Sequence, residues 1–415
     1  MAPAATPDAP HVAGTSRHDV VVVGGGLVGA SLAIALAQAG VDVALVEATA
    51  ADALPAVFDE RNLSFADATV NGLTALGVMR ELRTSPAPIR RIHVSRSGDF
   101  GRVKLDASTY GREAFGQVVV ARDFGQALEA RLRASGGLAR YRPARFVALE
   151  DDGGDARRLR IVDDSGERVL STPLLVAADG TASGVRAALG IGVDRHDYGQ
   201  ALFVARMRAE RAPDGTAYER FGASGPTALL PRADRHFGVV HGVAESEADT
   251  VAALDDDAFI ERLQQAFGWR AGRFLSIGPR SRYPAISQRA QAITARRAVL
   301  VGNAAQTLHP IGAQGFNLGL RDALTLAELV ELHRDDPGSE RLLSEYARRR
   351  REDHARTVAF SDGLARLTAN DAPLLRPLRS LGLLALDGAP WLQAMLVGGA
   401  MGYRGGVPRL CRTGA

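Results

Sequence analysis

Three glycines and one acidic residue near the start of the chain have the types and spacing to bind a phosphate-containing ligand. Gly24, Gly26 and Gly29 follow a run of four valines, and Glu47 ends a second apolar run. The first glycine permits a sharp turn, the second lets a pyrophosphate approach the backbone, and the third lets the next helix lie close to the sheet. An acid about 20 residues past such a turn accepts hydrogen bonds from a ribose diol and repels a 2′-phosphate. We therefore predict dinucleotide binding, without NADP at this site. The alternative is a glycine-rich turn in an unrelated α/β core.

Two later segments repeat this change from a buried strand to a glycine. Apolar runs end just before Asp179 and Gly180, and again just before Gly302 and Asn303. Because the carboxyl ends of parallel strands meet at one edge of an open sheet, three such turns predict a long ligand laid across that edge. FAD fits this length, with its ADP half on the first turn and its ribityl-pyrophosphate at Asn303.

The loop before the third helix has the composition to contact a flat ring. Gly312, Gly315 and Gly319 permit close approach of the backbone, and the N–H groups of residues 314–317 would point at the pyrimidine edge of a flavin. A helix N-terminus stabilises negative charge by about 0.3–2 kcal/mol, which tunes a reduced flavin but does not account for catalysis. His309 is a candidate base, although a histidine before proline in a glycine loop is more often structural.

The elements that position these groups predict an α/β (α+β) fold. We expect a Rossmann-like FAD-binding domain, an inserted antiparallel β-sheet substrate domain and a helical C-terminus. Within the first domain, Ser64 is expected to cap a helix that runs to about Leu76. The predicted divisions are a disordered tail at 1–17, the FAD-binding domain at 18–88, 106–190 and 285–340, the substrate domain at 89–105 and 191–284, and the helical region at 341–415.

Composition excludes several classes of protein. The 415 residues are 46% apolar and 23% charged, with a formal net charge of +3. The single cysteine, Cys411, excludes intramolecular disulfides and cysteine-based metal clusters and suits a reducing cytosol. No basic stripe interleaved with aromatics indicates nucleic-acid binding, and no metal site is predicted. No apolar run is long enough to span a bilayer. We expect a cytoplasmic protein with potential peripheral contact at the inner face of the membrane.

Three motifs together resemble a known family. GGGLVG with Glu47, then ADGTASGVR, then VGNAAQTLHPIGAQGFNLGLRD resemble the flavoprotein aromatic hydroxylases related to para-hydroxybenzoate hydroxylase. With YERFGASGPTALLP upstream, the third motif is similar to the ubiquinone-biosynthesis hydroxylases that act on 2-polyprenyl-6-methoxyphenol. The resemblance covers residues 19–403. Asn303 stands where most relatives have Asp, and Ala313 would cost about 1 kcal/mol or more if its position needs a positive φ.

The resemblance implies a role for each matching residue. Pro310 would lie beside the reactive face of the flavin, and Gln314 and His309 complete the candidate catalytic set. Arg61 and Arg122 would contact FAD from the facing side. The implied cofactor-binding residues are Gly24, Gly26, Leu27, Val28, Gly29, Glu47, Arg61, Arg122, Asp179, Gly180, Arg186, Gly302, Asn303, Gln314, Gly315, Phe316 and Asn317.

The implied activity is hydroxylation of a polyprenylated phenol in ubiquinone biosynthesis, with NAD(P)H, O2 and a flavin C4a-hydroperoxide. Other ubiquinone-biosynthesis proteins are potential partners. Leu229, Leu230 and Pro231 are candidate lining of the substrate pocket, with ordinary core packing as the alternative. Two other functions stay open: a non-catalytic FAD- and lipid-binding subunit of a quinone-biosynthesis complex, and a related flavin halogenase or reductase. A tryptophan-type halogenase needs a catalytic lysine, and Lys104 lies outside the three motifs that would form the flavin site.

Overall fold

The structure is a computed structural model that describes residues 13–150, 154–222, 224–309, 311–369 and 375–412. Its strands are β1 (Ala13–Arg17), β2 (Val20–Val23), β3 (Val43–Val46), β4 (Asn62–Ala66), β5 (Ala87–Pro88), β6 (Arg91–Arg96), β7 (Arg102–Asp106), β8 (Gly116–Val120), β9 (Leu138–Tyr141), β10 (Ala144–Leu149), β11 (Arg157–Asp163), β12 (Gly166–Thr172), β13 (Leu174–Ala177), β14 (Val193–Ala209), β15 (Thr216–Phe221), β16 (Pro226–Pro231), β17 (Phe237–Ala244), β18 (Phe274–Ile277), β19 (Ser281–Ala290), β20 (Thr294–Ala295), β21 (Ala298–Leu300) and β22 (Gln306–Thr307). Its α-helices are α1 (Leu27–Gln38), α2 (Asp67–Ala75), α3 (Ala121–Ala134), α4 (Gly184–Ala188), α5 (Ala248–Ala252), α6 (Asp256–Phe267), α7 (Gln314–Leu332), α8 (Glu340–Ala369), α9 (Leu375–Asp387) and α10 (Pro390–Ala400).

A six-stranded sheet, in the order β20-β21-β13-β2-β3-β9, forms the centre of the first domain. Its strands from β21 to β9 are parallel. Apolar side chains of α1, α3 and α7 cover one face, and the sheet of β1, β12, β11 and β10 covers the other. Burial on both faces explains why β2, β13 and β21 have continuous apolar sequences rather than alternating ones.

The three strands that end in glycine are neighbours, as the sequence predicts. Val23 is in register with Ala177, and Ala177 is in register with Leu300, so the strands end side by side. The following turns contain Gly24, Gly180 and Gly302, whose φ angles are +107°, +84° and +58°. Only glycine adopts such angles without strain. The shared edge therefore follows from local sequence.

A second sheet has nine strands, in the order β22-β19-β14-β17-β16-β15-β6-β7, with β18 paired to β14. The pairing of β15 with β6 is parallel, and it joins the segment around residue 91 to the segment around residue 216. Helix α6 packs on one face, where Phe259, Leu263 and Phe267 are fully buried. The opposite face is turned toward the first domain. The sheet therefore covers the edge where β2, β13 and β21 end, which we call the strand-end edge, and would cover a ligand bound there.

Two local predictions are wrong. Residues 13–17, which the sequence places in a disordered tail, form β1 and pair in parallel with β12. Ser64 does not cap a helix, because it lies in β4 opposite Val118 of β8, and α2 begins only at Asp67. In both cases the partner strand is distant in sequence, so the local pattern carries no signal of the pairing. None of the described helices is both long and apolar enough to cross a membrane.

Candidate functional site

Some glycines at the strand-end edge are required by contacts within the protein. A Cβ added to Gly29 would lie 1.9 Å from the Gly24 carbonyl oxygen, and one added to Gly24 would lie 2.5 Å from the Ala178 carbonyl oxygen. A Cβ on Gly302 would lie 2.9 Å from Cγ2 of Val28, and one on Gly319 would lie 3.0 Å from Cα of Gly302. The three turns therefore pack against one another through the N-terminal ends of α1 and α7.

Two further glycines have no such explanation within the described part of the chain. A Cβ on Gly26 would meet only Val57, at 3.8 Å, and one on Gly315 would meet nothing within 4 Å. Gly26 has a φ of −72°, and Gly315 lies in the first turn of α7. Glycine in a helix costs roughly 1 kcal/mol relative to alanine. Gly315 is kept at this cost, and Gly26, which precedes α1, borders free space at the other end of the edge. This free space fits a ligand that approaches the backbone.

The N-termini of α1 and α7 meet at the same edge, and neither is capped by a side chain. The first N–H groups of a helix have no partner within the helix and carry partial positive charge. Asn317 does not cap α7, because its amide donates to the carbonyl oxygens of Ser64 and Ala313 and its oxygen accepts from Ala66 N–H. The two helix ends are therefore available for the anionic groups of a dinucleotide.

Glu47 lies beside the first turn, where the sequence predicts a ribose contact. Its Oε2 accepts from Gly25 N–H at 2.6 Å and its Oε1 accepts from Thr49 N–H at 2.7 Å. Each carboxylate oxygen can still accept a second hydrogen bond, so the group can both brace the turn and bind a diol. The carboxylate fits the ribose diol of the adenosine half of FAD.

The second and third turns are joined by side chains. Asp179 accepts from Ser183 Oγ and from Val185 N–H, and Arg186 donates to the carbonyl oxygens of Thr181 and Ala304, both at 2.9 Å. Asp179 and Arg186 therefore hold the edge in shape. In contrast, the exposed side chain of Asn303 makes no hydrogen bond to any residue that the structure describes. The Asn303 amide is free to bind the ribityl chain or pyrophosphate.

The two arginines expected to face the cofactor are placed differently from each other. Arg61 is paired with Asp59 at 2.8 Å, and its guanidinium lies 4.6 Å from the ring of Tyr283 on β19. It therefore connects the first domain to the substrate sheet. Arg122 lies at the surface, 2.8 Å from Glu60. A direct contact of either arginine with FAD stays a prediction.

The loop between β22 and α7 has the strained shape that the sequence suggests. Ala313 has a φ of +50°, beside Gly312 at +72°. Gln314 is buried and donates to the Gly312 carbonyl oxygen. Phe316 packs its ring 5.3 Å from the rings of Phe65 and Phe124, so only its backbone can face a cofactor. Pro310 lies outside the described residues.

His309 is buried beneath the substrate sheet. Its Nδ1 accepts from Ile311 N–H, and its ring stacks edge-on with Tyr198 of β14 at 4.5 Å. Ile311 in turn packs against Phe221 of β15 and Val94 of β6. The loop that would contact the flavin therefore lies directly against one end of the sheet. These contacts agree with the structural interpretation of His309, and a catalytic role stays a prediction.

The two faces of the substrate sheet differ in packing. Phe203, Leu229 and Val239 are fully buried against α6. Their neighbours on the other face, which include Val204, Leu230 and Val240, remain partly accessible. Leu229 is therefore core and not pocket lining, since strand alternation turns it away from the first domain. Leu230 lies on the accessible apolar face opposite the strand-end edge.

Glu219 of β15 lies on that same face and is not singled out by the sequence. Burial raises the pKa of its carboxyl group from an ordinary 4.5 to about 7, although part of the residue remains accessible. A lone glutamate in an alternating strand ordinarily indicates a solvent-exposed face. The available signal is the pattern Ala217-Glu219-Phe221, in which the two flanking residues of the same face are apolar.

Comparisons with known proteins agree with this geometry. A family described as an FAD binding domain matches residues 17–361. The ubiquinone hydroxylase UbiL of Rhodospirillum rubrum is 35% identical over 389 residues, which cover 92% of this chain and 89% of that protein. The 3-demethoxyubiquinol 3-hydroxylase of Escherichia coli is 28% identical, and the match covers 92% of this chain and 98% of that protein.

A solved structure shows the same fold. The p-nitrophenol 4-monooxygenase PnpA of Pseudomonas putida DLL-E4 matches with a TM-score of 0.77 at 18% identity, over 94% of this chain and 100% of that one. The predicted fold class, the resemblance and FAD as the cofactor are confirmed. The chain belongs to the FAD-dependent monooxygenases, in the family of the ubiquinone-biosynthesis hydroxylases.

Proposed function

We propose that this enzyme hydroxylates the ring of a polyprenylated phenol in ubiquinone biosynthesis, with NAD(P)H as electron donor and O2 as oxygen source. The names of the relatives support the substrate class, since UbiL is called a ubiquinone hydroxylase and the Escherichia coli protein acts on a demethoxyubiquinol. The position of the ring that reacts and the length of the prenyl chain are not part of the proposal.

The observation that carries the proposal is the partly accessible apolar face of the substrate sheet, which lies opposite the FAD edge. Gly24, Gly26 and Glu47 would hold the ADP half of FAD, Asn303 the ribityl-pyrophosphate, and the N-terminus of α7 the isoalloxazine ring. When bound there, FAD supplies the redox chemistry that takes electrons from NAD(P)H and activates O2.

The side chains of this protein position the aromatic ring and exclude water. Ile311, Phe221 and Val94 seal the end of the site where the loop meets the sheet. Val204, Leu230 and Val240 extend the apolar face from there. A dry apolar site protects reactive oxygen chemistry from hydrolysis and strengthens each polar contact made inside it.

A prenylated substrate also favours contact with a membrane surface, and three exposed apolar side chains support such a contact. Phe100, Leu381 and Leu384 are 67%, 56% and 43% exposed. The turn that carries Phe100 packs against α9, because Phe100 N–H donates to Ser380 Oγ. We propose this apolar surface as the membrane-facing side, and co-sedimentation with anionic vesicles tests it.

The function is tested with purified FAD-loaded enzyme, NAD(P)H, 18O2 and a short-chain 2-prenylphenol. The proposal expects a product that is one oxygen heavier and carries the label. Oxidation of NAD(P)H without a labelled product would contradict it. Ubiquinone synthesis supported by a Gly315→Val variant that binds no FAD would instead favour the non-catalytic subunit.

A further inference from the structure

Glu219 faces the substrate site, and three observations establish its direction. Its neighbours at i−2 and i+2 are Ala217 and Phe221. Ala217 packs in a cluster with Val118 of the first domain, and Phe221 packs with Ile311 of the loop before α7. Residues two apart in a strand share a face. Tyr218, the intervening residue, points the other way and packs 5.5 Å from the ring of Phe267 on α6.

The cross-strand neighbours of Glu219 are apolar. It lies in register with Val94 of β6 on one side and with Ala228 of β16 on the other. Within the part of the chain that the structure describes, its carboxyl group makes no hydrogen bond and no ion pair. A partnerless carboxyl group on an apolar face destabilises the fold, so its retention needs a reason other than packing.

The charged and titratable groups that face Glu219 are few. Arg96 of β6 lies on the same face, next to Phe221 and 4.0 Å from Asp99. Tyr198 and His309 lie where the loop meets the sheet. On β16 the same face carries only Pro226, Ala228 and Leu230. Burial, and not a neighbouring charge, therefore accounts for the raised pKa of the Glu219 carboxyl group.

The distance of Glu219 from the loop before α7 suits an aromatic substrate. Phe221 is two positions further along β15, at a distance of about 7 Å. Phe221 contacts Ile311, and the loop continues from Ile311 into the N-terminus of α7. A ring stacked between the loop and the sheet would thus have its reacting edge toward α7 and its hydroxyl group within reach of Glu219.

We propose that Glu219 is the base that accepts the proton of the substrate's phenolic hydroxyl group. The O–H bond breaks, its electron pair stays on the phenolate oxygen, and the proton moves to the carboxylate, which becomes a carboxylic acid. A phenolate is richer in electrons at its ortho and para carbons, which favours attack on an electrophilic oxygen. The acid returns the proton to the product oxygen or to water. The inference rests on the proposed function, because it assumes a phenolic substrate in this site.

The test compares Glu219→Gln with Tyr218→Phe, a matched change on the same strand whose side chain faces α6. The first readout does not depend on turnover. The dissociation constant of a 2-prenylphenol for the FAD-loaded protein is measured between pH 5.5 and 8.5. We expect the affinity of the wild type and of Tyr218→Phe to rise about tenfold through pH 7, because the phenolic O–H donates a charge-assisted hydrogen bond to the carboxylate, and the affinity of Glu219→Gln to be independent of pH.

The second readout is the rate of hydroxylation. We expect Glu219→Gln to lower kcat about 100-fold with bound FAD unchanged, and Glu219→Asp to recover part of the loss. The rate of the wild type should rise with pH through a group near pH 7, and this rise should be absent in Glu219→Gln. A fluorinated prenylphenol, which ionises more readily, should reduce the loss to less than about tenfold.

The outcomes separate this inference from the proposed function. A wild type whose affinity for the phenol rises with pH through Glu219 but which forms no hydroxylated product would contradict the proposed function and support the assignment of Glu219. The same pH dependence of affinity in Glu219→Gln as in the wild type, or a kcat within about threefold of the wild type at every pH, would overturn the assignment.

Discussion

The carboxyl groups of Asp322 and Glu219 differ in what surrounds them. Asp322 of α7 is fully buried and accepts hydrogen bonds from Arg350 at 2.6 Å, His354 at 2.7 Å and Gln306 at 2.8 Å. Desolvation would raise the pKa of Asp322, but His354 and Arg350 hold it well below its usual range. Glu219 has no described partner, and the pKa of its carboxyl group is raised to about 7.

Asp322 has hydrogen-bond partners within the protein, whereas Glu219 has none among the described residues. The same distinction separates the glycines, since Gly29 is crowded by backbone whereas Gly315 borders open space. We interpret groups that are bonded or packed within the protein as structural, and groups without such contacts as positions where a ligand binds.

The largest effect is expected from Asp322→Ala. Removing this carboxylate leaves the fully buried guanidinium of Arg350 with one acidic partner among the described residues, Asp353 at 2.7 Å. Loss of one member of a buried ion pair costs about 3–5 kcal/mol. The control is Glu352→Ala, which removes an exposed i,i+4 pair with Arg356 on α8 and should cost less than about 1 kcal/mol. Urea unfolding of both variants measures the difference, and equal costs would refute the distinction.

The second prediction compares Gly29→Ala with Gly315→Ala. The added methyl at residue 29 clashes with the Gly24 carbonyl group, so we expect a loss of about 1–3 kcal/mol or more in the apoprotein. The methyl at residue 315 meets no described atom, so the apoprotein should gain up to about 1 kcal/mol of helix stability. Its affinity for FAD should nevertheless fall at least tenfold. Thermal unfolding and FAD titration separate the two effects, and unchanged FAD affinity would show that the open space is not the flavin site.

The third prediction concerns the pH dependence of stability in Glu219→Gln. Between its ordinary pKa of 4.5 and its folded value of about 7, the folded protein keeps a proton that the unfolded chain has lost. The wild type therefore loses stability as the pH rises through this window, and the neutral amide does not. At about 1.4 kcal/mol per pKa unit, the variant should be more stable by roughly 1–3 kcal/mol above pH 7. The gain should vanish toward pH 5, and a gain that is independent of pH would indicate another cause.

The smallest effect is expected from Ala313→Gly. Ala313 has a left-handed backbone conformation, with a φ of +50°, which costs about 1–2 kcal/mol for a residue with a Cβ. Glycine removes this cost but loses more chain entropy on folding, so the net gain should be at most about 1 kcal/mol. Calorimetry of the apoprotein measures it, and a loss of stability would show that the methyl group of Ala313 is needed for packing.

The sequence predicts those parts of the fold that depend on residues close to one another along the chain. Continuous apolar runs and the glycines at 24, 180 and 302 are each readable without knowledge of distant residues, and they lie where expected. Strand β1 is missed because it pairs with residues 168–171, far along the chain. The helix that ends near Leu76 is present as α2, but its predicted start at Ser64 is wrong because residues 62–66 pair with β8.

The site is harder to predict than the fold because it depends on which face of a strand meets the first domain. Alternation shows that Leu229 and Leu230 lie on opposite faces, but only the assembled sheet shows that Leu229 packs against α6. For the same reason Glu219 resembles an ordinary surface charge in the sequence. Its surroundings come from β6 and β16, one distant in sequence and one adjacent.

A crystal structure of the protein loaded with FAD and a 2-prenylphenol tests the central claim most directly. The account predicts flavin density that crosses the bare backbone at Gly26, passes Asn303 and ends at the N-terminus of α7 beside Gly315, with the phenol oxygen within hydrogen-bond distance of Glu219. Flavin density away from the edge where β2, β13 and β21 end would contradict it.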